Sequence, residues 1–104
     1  MEDPEFYTYV PEFNRMRKEV LYDDLWSQKE LSPRDRSLVT CAILGTLAKQ
    51  FELDAHMKKA LANGVTPDEL RGLVAHLAIY AGWPAGVNAA QVGMPIFKAD
   101  TQKE

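Results

Sequence analysis

The chain reads as all-α, a compact helical bundle of about five helices, and three observations predict it. Two helix-start signals, Ser32-Pro33-Arg34-Asp35 and Thr66-Pro67-Asp68-Glu69, stand within it. Apolar residues recur at three- and four-residue spacing over most of its length. No segment alternates apolar and polar residues for more than a few positions, as a half-buried strand would.

Residues 1–10 carry Pro4, Phe6, Tyr7 and Tyr9 without periodicity and predict an extended arm. A first helix is expected from Pro11 to Trp26, where Phe13, Met16, Val20, Leu21 and Leu25 share a face and Arg15, Lys18, Glu19 and Asp23 lie opposite. Ser32 is a natural N-cap, Pro33 suits the first helical position because no amide is needed there, and Asp35 favours the positive end of the helix dipole. That helix continues through Leu38, Val39, Ala42, Ile43 and Leu47. Glu52 to Asn63 predicts another, with Leu53, Met57, Ala60 and Leu61 as its stripe and Asn63-Gly64 as its stop. Thr66 with Glu69 forms a capping box, opening a helix that bears Leu70, Leu73, Val74, Leu77 and Ala78. Gly82-Trp83-Pro84 ends it, since a residue before proline is driven out of the helical region. A last helix is expected from Ala85 to about Phe97, followed by a polar, frayed tail over 98–104. The two start signals lie 34 residues apart, the tetratricopeptide period. Only two such units would fit and that repeat's aromatic and glycine positions are missing, so two capped helices of one bundle are the simpler account.

A length of 104 residues suits one domain over 1–104. So short a chain buries a limited core, which makes a second copy of the subunit a natural partner. Hydrophobic residues at 46% and charged residues at 26% are an ordinary globular mix, and the net charge of −3 excludes the basic excess of a nucleic-acid binder. The longest apolar stretch, Leu73 to Pro84, is interrupted by His76 and Gly82 and falls short of the roughly 20 residues a membrane span needs. The acidic start Met1-Glu2-Asp3-Pro4 lacks a signal-peptide pattern, and a cytoplasmic location is expected. The single cysteine, Cys41, leaves no internal disulfide and no CxxC motif.

Glu52 and His56 are four residues apart and share a helix face. A carboxylate there orients an imidazole and tunes its proton affinity, which suits acid–base work near neutral pH. The same spacing also describes an ordinary surface pair. His76 and Tyr80 repeat it in a mostly apolar helix, either as a neutral donor–acceptor or as a core histidine bonded to a carbonyl with tyrosine beside it. Arg36, one turn inside a capped helix, offers a fork for a carboxylate or an arm for a salt bridge, and Arg34 is its exposed control. Cys41 sits in the apolar run Leu38-Val39-Thr40-Cys41-Ala42-Ile43 and is expected to pack as a small hydrophobe. Trp83 either lines a pocket or plugs a subunit interface. Two histidines 20 residues apart make no convincing metal set.

Three pieces in register carry a resemblance: Leu25-Trp26 with Leu31-Ser32-Pro33-Arg34-Asp35-Arg36-Ser37-Leu38; Glu52-Leu53-Asp54-Ala55-His56 running into Ala60 to Leu70; and His76 to Pro84. Together they resemble the carboxymuconolactone decarboxylase family, over roughly residues 12 to 95. The resemblance implies an all-α fold that assembles as trimers or hexamers with sites near subunit contacts. It also implies cofactor-free decarboxylation of γ-carboxymuconolactone in aromatic catabolism, with no cofactor and no metal. On that footing His56 protonates the developing enolate, Glu52 supports it, and Arg36, His76, Tyr80 and Trp83 meet a small carboxylated substrate. The alkylhydroperoxidase-type branch instead carries a CxxC pair ahead of its histidine. With His56 aligned to that histidine, Lys49 and Glu52 stand at the two sulfur positions. A thiol peroxidase would need Cys41 as its attacking thiol. The remaining alternative is a non-enzymatic oligomeric module that binds a small acid and has no enclosed polar pocket near His56.

Overall fold

The computed structural model describes residues 3–102, which form two compact units dividing at Pro33 and Arg34. The first unit begins with a 3-10 turn over Glu5–Tyr9, and the short helix α1 spans Pro11–Met16. A widened, π-type turn continues α1 over Arg17–Tyr22, closed where the Asp23 amide donates to the Lys18 carbonyl at 2.9 Å. A second 3-10 turn covers Leu25–Ser27.

Two expectations are corrected here. The extended arm over 1–10 is instead coiled from Glu5 to Tyr9. Asp3 pairs with Lys18 at 2.9 Å and with Arg17 at 2.6 Å, and those two cations hold its carboxyl well below the usual carboxylate range. Tyr7 stacks on Phe13 at 5.4 Å and lies under the Arg17 guanidinium at 3.9 Å, so the arm folds back on its own unit. The single helix expected from Pro11 to Trp26 is broken after Tyr22. The Ser27 hydroxyl donates to the carbonyls of Asp23 at 2.6 Å and Asp24 at 2.9 Å, a local bond that competes with regular helix.

The second unit holds α2 (Pro33–Thr46), α3 (Gln50–Ala62), α4 (Pro67–Ala81) and α5 (Trp83–Gln102). The described residues are thus helical or turn, with no strand among them. At the start of α4 both limbs of the capping box close: the Glu69 amide donates to Thr66 Oγ1 at 3.1 Å and the Thr66 amide to Glu69 Oε1 at 2.9 Å. Glu69 also pairs with Arg34, so one carboxylate joins the starts of α2 and α4. Helix α3 stops at Gly64, with φ of 102°, and the Val65 amide donates to the Ala60 carbonyl at 2.9 Å. The α2 stop has the same bonding: Lys49 donates to the Leu44 carbonyl at 2.9 Å and Ala48 to the Gly45 carbonyl at 3.1 Å. The left-handed position there is filled by Ala48, at φ of 56°.

Helix α5 extends further than expected. Pro84 lies in its first turn, where no amide is required, so the helix opens at Trp83 rather than Ala85. At the far end Lys98–Gln102 is helical, which corrects the frayed tail for those residues; Lys103 and Glu104 lie outside the described residues. Arg71 of α4 explains the extension. Its guanidinium donates to Asp100 at 2.9 Å and to the Phe97 carbonyl at 3.3 Å, and pairs with Asp68 at 2.6 Å.

The core consists of Cys41, Leu53, Met57, Ala60, Val65, Leu70, Leu77 and Ala89, all buried. Helices α4 and α5 pack closely at Gly86, where a Cβ would lie 2.4 Å from the Ala78 Cβ. At the second capping residue, Thr66→Ala is expected to lower unfolding free energy by about 1 kcal/mol. At Ala48, a glycine relieves the left-handed strain, and Ala48→Gly is expected to raise it by about 1 kcal/mol. Urea denaturation midpoints check both.

Candidate functional site

The rotation of α3 decides which of its side chains can do chemistry. Leu53, Met57 and Ala60 face the core, while Glu52 is exposed and His56 lies half-buried at the edge of that face. The Nδ1 atom of His56 is buried and has no hydrogen-bond partner among the described residues. An enclosed Nδ1 is poorly placed to exchange a proton with solvent. Burial pushes the His56 proton affinity below the ordinary imidazole value, the Lys59 ammonium pushes it the same way, and the Glu52 carboxylate opposes both. Glu52 thus acts on His56 through charge.

The other expected site residues fall elsewhere. Arg36 is buried in the first turns of α2. Beside it the Asn63 side chain donates to the Ser37 hydroxyl at 2.8 Å, tying the end of α3 to the start of α2. Asn63 is seven residues beyond His56, so this tie lies roughly 10 Å along the helix axis from the His56 backbone. His76 is exposed, which corrects the expected core histidine: its ring stacks on the exposed Tyr80, 4.7 Å between centroids, on the outer side of α4. The apolar run around it is real, but its inner face is taken by Leu70 and Leu77. His76 lines a groove of about 410 Å³ with Leu38, Val39, Ala42, Gly72 and Leu73. Trp83, 69% exposed, lines another of about 360 Å³ with Val74, Ala78, Ile79, Gly86 and Val87. Arg34 is engaged with Asp35 and Glu69 and so is not the free, exposed control expected of it.

Spacing arguments missed Lys59, whose charge bears on His56. On α3 and its C-cap the half-buried polar residues are His56, Lys59 and Asn63, spaced three and four apart. The rule that finds an apolar stripe finds this polar one when it is applied to polar residues. Cys41 is fully buried, and burial pushes its thiol up to about 11, which leaves very little thiolate at neutral pH. This opposes the thiol-peroxidase alternative.

The larger unit is built of four helices, and comparison with known families identifies its class. The family model described as "Carboxymuconolactone decarboxylase family" matches residues 11–93, and the chain belongs to that family. The chain is 37% identical over 87 residues to the 4-carboxymuconolactone decarboxylase of Acinetobacter baylyi, covering 84% of this chain and 65% of that protein. It is 35% identical over 65 residues to the nitrosuccinic acid decarboxylase of Metarhizium robertsii, covering 62% of this chain and 46% of that one. The chain therefore spans less than two thirds of the length of either relative. No helix among the described residues is long and apolar enough to cross a membrane.

Two outcomes follow from burial. Because the folded His56 binds its proton less readily than the unfolded one, its contribution to stability is complete above about pH 6.5 and is lost as pH falls through its lower folded value. The denaturation midpoint should fall more between pH 7.5 and 5 for the native chain than for His56→Asn. Cys41 should resist an aromatic disulfide reagent at neutral pH in the folded chain and react at once in urea, followed by absorbance.

Proposed function

We propose that the protein is a cofactor-independent decarboxylase of a small carboxylated substrate, a carboxylated lactone such as γ-carboxymuconolactone being the first candidate. The observation that carries this reading is the half-buried His56, with Nδ1 enclosed and Glu52 one turn away. The carbon–carbon bond to the leaving carboxylate breaks, carbon dioxide departs, and the electron pair remains on the substrate as an enolate. Nε2 of the protonated imidazole then delivers a proton to the enolate carbon, and solvent restores it. A lowered proton affinity makes the imidazolium a stronger acid, and the Glu52 charge keeps enough of it present. The names of the two relatives, both decarboxylases of small acids, support this reading.

Self-association belongs to the same proposal. Ile79, Tyr80 and Trp83 are 75%, 80% and 69% exposed, more apolar surface than a lone subunit usually leaves in water. A trimer or hexamer would cover them, and a neighbouring copy would supply the remaining wall around His56. Arg36, His76, Tyr80 and Trp83 are then substrate-facing only insofar as the assembly brings them there. One observation bears on the binding-module alternative: grooves of about 310–410 Å³ among the described residues are lined by residues other than Glu52 and His56.

Carbon dioxide release from γ-carboxymuconolactone separates the two. Turnover by the native chain that drops about a hundredfold or more in His56→Ala supports the decarboxylase reading. Undiminished turnover in that variant removes His56 from the chemistry, and absence of turnover in the native chain favours the binding module.

A further inference from the structure

Gly72 lies inside α4, and nothing among the described residues of its own chain requires a glycine there. A Cβ built on it meets no atom within 4 Å, and its backbone is ordinary helix, unlike the positive-φ Gly64 and Gly82. Gly45, Gly86 and Gly93 differ, since a Cβ there would stand 2.9, 2.4 and 2.6 Å from a neighbour. A glycine in a helix interior costs stability relative to alanine, because it loses more freedom on folding and bares the backbone to water. What glycine offers in return is close approach to the backbone, and at Gly72 only a second molecule can use it.

The surroundings of Gly72 indicate which molecule. It lines the groove of about 410 Å³ between α2 and α4, with Leu73 on one wall, Leu38 and Val39 on the other, and the buried Leu77 beneath. Beside this groove α2 raises an apolar ridge. Val39, Ile43 and Leu47 follow one another at four-residue spacing and are 46%, 53% and 59% exposed. Glu69, the carboxylate lining the groove, is already paired with Arg34, so the groove does not select its occupant by charge. A ridge and a groove side by side make this patch its own complement. A two-fold axis lays each ridge over the other copy's groove.

We propose that the α2–α4 groove is a two-fold contact between two copies of this chain, in which the Val39–Ile43 ridge of each copy crosses Gly72 of the other. The contact lies on the α2 side of α4, whereas the groove beside Trp83 lies on the α5 side. It extends the self-association proposed above and rests on no part of the decarboxylation.

Sedimentation velocity of the full chain tests this, because a two-fold contact gives an even number of subunits. Gly72→Gln places a neutral, helix-favouring side chain in the cleft, and Ile43→Ser removes the middle of the ridge. Each should halve the assembly mass. Helix content by circular dichroism should stay at the native level, since residue 72 has room for a side chain in the lone subunit. An odd-numbered native assembly, or an undiminished mass in both variants, would overturn this contact and leave the one beside Trp83 standing. A monomeric native chain would reject both.

Discussion

The close approach of α4 and α5 at Gly86 and Ala78 fixes the geometry of the larger unit. Even one methyl group on residue 86 would stand 2.4 Å from another, so the two helices meet through backbone and small side chains. One α-turn pair further along α5, Gly93 receives the Phe97 ring and lies within reach of the Met57 sulfur, 3.4 Å from where a Cβ would stand. Met57 is thereby seated against α5, and with Leu53 and Ala60 it sets the rotation of α3. His56 is the next residue round the helix. Its half-buried position, and with it the enclosure of Nδ1, follows from a close contact made elsewhere.

Burial also sorts the polar residues by what they can do. Cys41, placed in the centre, has its thiol held protonated. His56, at the margin, has its proton affinity lowered but still faces charges that adjust it from both sides. His76 and Tyr80, both exposed, stack on each other on the outer side of α4. The polar groups of one small helical unit thus differ by depth more than by type. The margin is the zone where an imidazole is both desolvated and accessible.

Much of this architecture could be read from the residues. Thr66 with Glu69, Asn63 with Gly64, and Gly82 before Trp83 are local signals whose physics is complete within a few residues, and each marks a real helix end. The proximity of Glu52 to His56 was legible, because a four-residue spacing is itself a statement about a helix face, and the Glu52 charge does bear on His56. Where the outcome depended on distant partners, spacing failed. The last turns of α5 are held by Arg71, nearly thirty residues away, and the coiling of Glu5–Tyr9 depends on Arg17 and Phe13. His76 was misplaced because an apolar helix has an outside as well as an inside, and composition does not say which side a polar residue occupies. Lys59 was overlooked beside Lys58 because two neighbouring lysines look equivalent until the rotation of α3 is known.

The Arg71 contacts carry one more consequence. They bind the end of α5 through charges that are about one-third exposed, 34% for Arg71 and 37% for Asp100. Attraction between such groups is weakened by dissolved ions, whose screening length shortens to roughly 3 Å at 1 M ionic strength. The apolar contact at Gly86 has no such sensitivity. The two ends of α5 therefore respond to different properties of the medium: rising ionic strength loosens the final turns, while the end beside Trp83 stays as it is.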